Sequence, residues 1–266
     1  MPVAARTITL PPMAQRSQVP LSVTIAPLGV PGEAMAWASA AGLRGVQLSV
    51  TGAGLRPRDL GPSARRDLRA ALTRLELVAS GIDALVPGAH FLDPSTVERA
   101  MDAVEGACGL AGDLGRVPVT VHLPAATDEA TRPRRQEVLA RLAAAADRVG
   151  VSLGDLGGAV DAAWPPVGVA VDPAAVLAEG GDPSAAVARA GGRLVGARVV
   201  DLLRTGMRGP IGRPGEARLD VLGFRVAVEV SGFPGLPVID CRQWADPREG
   251  VRQSADAWQR VERRAV

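Results

Sequence analysis

Asp172 ends the run Val167-Gly168-Val169-Ala170-Val171-Asp172-Pro173, an apolar, β-branched stretch that stops on a single carboxylate. Extended-chain side chains alternate, so Val167, Val169 and Val171 share one face while Gly168, Ala170 and Asp172 share the other. The valines suit a layer of helices; the small residues and Asp172 suit a narrow interior. An acid buried behind small apolar residues needs a metal, an arginine or a ligand, because desolvating it alone is costly. Pro173 then fits the first turn of a following helix, where its missing N–H is no loss.

The same alternation brings other chemistry-bearing side chains to equivalent places. Gln47 and Ser49 face inward on Arg44–Val50, Thr120 and His122 on Val117–Leu123, and Arg198 on Leu194–Val200, while Asp240 ends Pro237–Cys241. His90 sits in the loop Pro87–Phe91 after Ile82–Val86, so both histidines of the chain fall at the ends of neighbouring strands. Asp240, His122 and Asp172 are the acid/base candidates, and Arg198 is the candidate electrophile. Plainer roles compete with each: Arg198 as a structural ion-pair partner of Asp172, His122 as a hydrogen-bonded filler, Asp240 as a cap or local salt bridge. The stretch from Asp201 to Glu216 carries Arg204, Arg208 and Arg213 among Gly206, Gly209, Gly212 and Gly215. Free backbone N–H groups and guanidinium forks suit a phosphate or another anion; the competing reading is a solvated loop.

Such side chains meet only if strands and helices alternate regularly. A first strand at Leu21–Ala26 and a fifth at Val151–Leu156 complete the set of about eight. Helical spacing runs over Glu33–Ala41, Ala64–Ser80 (stopped by Gly81), Asp93–Leu114, Thr131–Val149, Pro173–Ala190, Arg218–Val230 and Asp246–Glu262, with a short Gly/Ala segment after the fifth strand. The expectation is an α/β fold, a (β/α)8 TIM barrel forming a single domain over residues 21–266, behind a loose tail over residues 1–20. In such a barrel the C-terminal strand ends form one rim, where Gln47, His122, Asp172, Arg198 and Asp240 meet with His90 just above. A doubly wound open sheet is the alternative, and no Gly-x-Gly-x-x-Gly follows a strand to support it.

Composition narrows the chemistry. The 266 residues are 47% hydrophobic and 22% charged, with a net charge of +2, which describes a globular chain. Lysine, tyrosine and asparagine are absent, so Schiff-base catalysis and a Walker A loop are excluded. Every basic residue is an arginine interspersed with Asp and Glu, which reads as codon usage rather than a nucleic-acid patch. Cys108 and Cys241 read as buried free thiols. Neither a signal peptide nor a membrane-spanning stretch is evident, which places the expectation in the cytoplasm, with no membrane partner.

Taken together, Gly42-Leu43-Arg44-Gly45-Val46-Gln47-Leu48, Val119-Thr120-Val121-His122-Leu123, Val167 to Pro173, Arg193 to Asp201, Gly209-Pro210-Ile211-Gly212 and Pro237-Val238-Ile239-Asp240 resemble, in order and spacing, the sugar phosphate isomerase/epimerase family of xylose-isomerase-like barrels. The resemblance implies a divalent metal (manganese, zinc or magnesium) held by Glu, Asp, His and Glu at the ends of strands five to eight. Two of those carboxylates would move a proton beside the carbonyl of a sugar or sugar phosphate. Asp172 matches the Asp, and Asp240 stands in place of the last Glu. Leu156 occupies the first Glu position, Arg198 the His position, and Ala175 the place of a further His; Asp201 is retained. A guanidinium cannot ligate a metal.

The expectation is therefore a degenerate metal site with no cofactor. Three readings follow. The first is an isomerase or epimerase of carbohydrate metabolism using Asp240, His122, Asp172 and Arg198. The second is a non-catalytic barrel or partner subunit, a pseudoenzyme that binds a small polyol or anion. The third is a metal enzyme ligated by Asp172, Asp240 and His122, with His90. Substrate contacts are expected from Gln47, His90, Asp201, Arg204, Arg208 and Arg213. The partner is a small sugar-like molecule, with no nucleic acid, and Ala-rich helix faces permit a homodimer. A repair endonuclease of related fold would need more histidines than two.

Overall fold

Eight parallel strands close on themselves in the order β1-β10-β7-β6-β5-β4-β3-β2, each sequential neighbour hydrogen-bonded to the next. A computed structural model describes residues 19–52, 54–124, 129–157 and 167–265. The barrel strands are β1 (Val19–Thr24), β2 (Leu43–Ser49), β3 (Val78–Ala84), β4 (Val119–Val121), β5 (Leu153–Asp155), β6 (Val167–Val171), β7 (Leu194–Val199) and β10 (Val238–Ile239). Between the last two, β8 (Asp201–Leu202) and β9 (Arg208–Gly209) pair antiparallel as a small separate hairpin. The outer layer is α1 (Pro31–Ala40), α2 (Pro62–Arg74), α3 (Val97–Asp113), α4 (Arg132–Val149), α5 (Pro173–Ala178), α6 (Pro183–Ala190), α7 (Val221–Val230) and α8 (Pro247–Ala265). The chain is a (β/α)8 TIM barrel.

The apolar core lies between strands and helices. Val23, Val46, Ile82, Val121, Leu153 and Val199 are fully buried there with Met101, Leu110, Leu142 and Phe224 from the helices. The barrel interior is narrow and polar by contrast. A Cβ on Gly196 would lie 3.2 Å from Thr120 Cγ2 and 3.3 Å from Ala170 Cβ, so small residues are required across this layer. Higher up, Thr24 donates to Gln47 Oε1 (3.4 Å), Gln47 Nε2 donates to Thr120 Oγ1 (3.3 Å), and Thr120 donates to Asp83 Oδ1 (3.1 Å). That chain of hydrogen bonds crosses the interior and ends on a carboxylate.

Several boundaries differ from the sequence expectation. β1 already includes Val19 and Pro20; residues 1–18 of the expected tail lie outside the described residues, as do residues 158–166 of the expected Gly/Ala segment. Helix α2 stops at Arg74 rather than Ser80, because Glu76 takes a left-handed backbone (φ 55°) that turns the chain into β3. Gly81 is a strand residue: a Cβ there would lie 3.1 Å from the Pro118 carbonyl. The pairing of β2 with β3 shifts between Val46–Ala79 and Gln47–Gly81, leaving Ser80 as the extra residue of a bulge. Consequently both Ser80, bonded to Ser22, and Asp83 enter the interior. The helix expected over Pro173–Ala190 is two helices, broken at Gly180 (φ 76°) and restarted where Asp182 accepts from Ser184 N at 2.8 Å.

Candidate functional site

The C-terminal ends of the strands deliver an interlocked set of three carboxylates and three guanidiniums. Asp83 is the penultimate residue of β3; Asp172 follows β6 and caps α5, accepting from Ala175 N at 3.2 Å; Asp240 follows β10; Arg198 stands near the end of β7. Arg208 arrives from β9, and Arg242 from the loop after β10. Arg198 lies between all three acids: Nη1 is 2.9 Å from Asp172 Oδ2 and 3.3 Å from Asp240 Oδ2, and Nη2 is 3.3 Å from Asp83 Oδ1. Arg208 grips Asp172 at both oxygens (3.1 and 2.8 Å) and reaches Asp240 Oδ2 at 2.9 Å. Arg242 donates to Asp240 through Nε (2.7 Å) and Nη2 (2.8 Å), and its Nη1 is hydrogen-bonded to Asp83.

Charges in so dry a place survive only when paired and hydrogen-bonded. The three carboxylates and Arg198 are each at most 5% exposed, and the positive and negative charges are equal in number. Burial alone would raise the pKa of Asp172 and Asp240. For Asp172 the guanidiniums of Arg198 and Arg208 outweigh that, and for Asp240 those of Arg198, Arg242 and Arg208, so both carboxyls are held below the ordinary carboxylate range. Arg208 and Arg242 are held correspondingly above theirs, despite burial, by the facing acids. Among the described residues, two polar groups here have no hydrogen-bond partner. Nε of Arg198 is buried with no hydrogen bond. The half-buried His122 imidazole, next after β4, is pushed below its usual pKa by burial and then by Arg198, which keeps it neutral at neutral pH.

The expected rim residues divide into three groups. Asp172, Arg198, Asp240 and Arg208 are in mutual contact, with His122 beside them and Gln47 beneath, linked through Thr120 to Asp83. Asp201 is fully buried just beyond β7, where its carboxylate accepts from the backbone N–H groups of Arg218 (3.2 Å) and Leu219 (2.9 Å) and so fixes the chain entering α7. The others lie away from the cluster. Arg204 is exposed beside Leu177 and Arg218, Arg213 pairs with Glu216 at 3.3 Å, and His90 lines a separate cleft against α3.

Asp83 and Arg242 were not among the sequence candidates. The signal for Asp83 was the one used for Asp172, a lone acid in an apolar strand, but the misplaced start of β3 hid its direction. Arg242 stands two residues after Asp240 and was legible only as a local partner. Asp155, at the end of β5, is buried and accepts from Leu123 N (3.1 Å) and Gly157 N (2.9 Å). Among the described residues no group of three or more His, Cys, Asp or Glu is arranged to hold a metal ion.

Residues 35–155 match the family model described as xylose isomerase-like TIM barrel. No curated protein matches the sequence significantly. Among solved structures, a xylose isomerase domain protein from Planctomyces limnophilus is similar at a TM-score of 0.73 and 15% identity, covering 94% of this chain and 99% of that one. An L-ribulose 3-epimerase gives 0.72 and 15%, covering 92% and 96%. D-psicose 3-epimerase with D-tagatose from Clostridium cellulolyticum H10 gives 0.70 and 13%, covering 90% and 98%. Identity this low speaks for the fold. By its closed eight-stranded barrel the chain is a (β/α)8 TIM barrel, and over residues 35–155 it is similar to the xylose isomerase-like TIM barrel family.

Proposed function

We propose that this barrel binds a small polyhydroxy carbonyl compound at its mouth and does so without a divalent metal. The observation that carries this reading is that Asp172 and Asp240, the two acids standing at metal-ligand positions of the family resemblance, are both occupied by guanidinium nitrogens at 2.8–3.3 Å. A divalent cation placed among them would face Arg198 and Arg208 directly, so the residues present do not fit one. Holding both acids below the usual range also leaves them poor proton acceptors. What the mouth offers a ligand oxygen is the half-buried imidazole of His122, which has no hydrogen-bond partner among the described residues. The same reading makes the protein a small-molecule binder of the cytoplasm with no membrane or nucleic-acid partner.

The test is elemental analysis after incubation with manganese, zinc and magnesium, combined with calorimetric titration of ketohexoses, D-tagatose among them. Saturable binding with no stoichiometric ion is expected, weakened in His122→Ala. A stoichiometric ion, or the absence of binding by every ketose, overturns the proposal.

A second reading rests on His122 alone: a neutral, half-buried imidazole is a competent base for a metal-free isomerase. Deuterium appearing beside the carbonyl of bound D-tagatose in D2O, and disappearing in His122→Ala, would favour it.

A further inference from the structure

Beside the barrel mouth, the loops after β2 and β3 and the outer face of α3 enclose a cleft of about 690 Å³, a volume typical of small-ligand sites. None of the six side chains of the charge cluster lines it. Its walls are built rather than incidental. Pro57 packs directly over α3, where a Cβ on Gly106 would lie 3.2 Å from Pro57 Cβ. Arg65 holds that wall in place, donating to Pro57 O (3.2 Å), Leu60 O (2.9 Å) and Asp113 Oδ2 (2.6 Å).

The lining is two-sided in character. Val50, Val86, Ala100 and Ala103 give it an apolar floor, while the guanidiniums stand around it. Arg65 is neutralised by Asp113, and Arg58 lies 3.7 Å from Asp59. Arg56 and Arg99 differ: neither has an ion-pair or side-chain hydrogen-bond partner among the described residues, and both line the cleft, one from the β2 loop and one from the first turn of α3. Asp102 is the one carboxylate among the lining residues. Unneutralised guanidinium forks above an apolar surface are complementary to an oxyanion carried on an apolar body.

We propose that this cleft is a second ligand site, off the barrel axis, that takes a small organic phosphate or carboxylate with an apolar body, its charged end between Arg56 and Arg99. The site is independent of the function proposed for the mouth.

The experiment titrates the full chain with phenyl phosphate and benzoate, which carry both features, and with benzyl alcohol and inorganic phosphate, which each carry one. Saturable one-to-one binding is expected for at least one aromatic anion, weaker at high salt, and at least tenfold weaker for the other two probes. The Arg56→Ala/Arg99→Ala double variant should lose at least tenfold in affinity, and Ala103→Trp, which fills the floor, should abolish binding. Arg99→Glu, an exposed helix position, supplies the same readout if Ala103→Trp misfolds. The proposal fails if neither aromatic anion binds, if inorganic phosphate binds as tightly, or if the arginine variants bind unchanged.

Discussion

Arg208 holds both carboxylate oxygens of Asp172 in a two-pronged contact, Nη1 to Oδ1 at 3.1 Å and Nη2 to Oδ2 at 2.8 Å, although the two residues belong to different strand–helix units. Removing the guanidinium leaves the buried cluster with one carboxylate charge in excess. Arg208→Ala should therefore cost about 3 kcal/mol of stability, the scale for breaking a buried pair. Arg208→Lys should recover only part, since an ammonium cannot make the fork. Urea unfolding of both variants is the check; a loss within about 0.5 kcal/mol, the level of an ordinary surface change, would show that the contact is not made in solution.

Acid should weaken the fold through the same residues. Asp172 and Asp240 titrate below the ordinary value of 3.8 in the folded state, so as pH falls toward it the unfolded chain takes up protons first. Their contribution is complete above that value and lost beneath it. Asp201 acts in the opposite sense, because burial raises its pKa and favours its protonated form in the native state. Asp93, lowered by hydrogen bonds from Ser95, adds to the first group, and three carboxyls against one make the urea midpoint fall between about pH 5 and about pH 3. Asp240→Asn should flatten that limb; an equally steep limb in the variant contradicts the assignment.

Gly168 tolerates no side chain. A Cβ there would lie 2.5 Å from the Arg193 carbonyl and closer still to Val195 Cγ2, and the carbonyl belongs to a backbone that cannot step aside. Gly168→Ala should cost about 1–3 kcal/mol by thermal or urea unfolding, the scale of overpacking. Gly196→Ala, with contacts of 3.2 and 3.3 Å to side-chain atoms, should cost less.

Glu76 holds a left-handed backbone without being glycine. Glu76→Gly should raise stability, by no more than about 1 kcal/mol, because relief of the strain is partly offset by the freer unfolded chain. A decrease would mean that the Glu76 side chain contributes something beyond its backbone.

Both cysteines should be silent toward thiol reagents until the protein unfolds. Burial pushes the Cys108 and Cys241 thiols up to about 12, and Cys241 Sγ donates to the Thr24 carbonyl at 3.4 Å. Labelling by a chromogenic disulfide at pH 8 should track global unfolding in urea; rapid labelling of native protein would show that one of the helix layers opens locally.

The barrel was legible in the sequence because strand periodicity and length both pointed to it, and Asp172 with Arg198 was legible because alternation alone sends both inward from adjacent strands. Asp83 was hidden by a turn that rests on a left-handed Glu76, a conformation no residue type announces. Arg208 was visible as a loop arginine suited to an anion, yet its guanidinium lies on Asp172 and Asp240. The pairing of Asp201–Leu202 with Arg208–Gly209 that aims it inward is two residues long on each side, too short to leave a periodic signal. Arg204 and Arg213, from the same stretch, stay outside.

The ion cluster also acts as a clasp between the two halves of the chain. Asp83 comes from the first four strands, and its guanidinium partners Arg198 and Arg242 stand 115 and 159 residues further along. A first half folded alone would carry a buried acid with no counter-charge, and a second half would carry a surplus guanidinium. Neither half-barrel balances its own share of the cluster, so this scaffold is built to close as a whole, and its two halves would reassemble by seeking each other's charge.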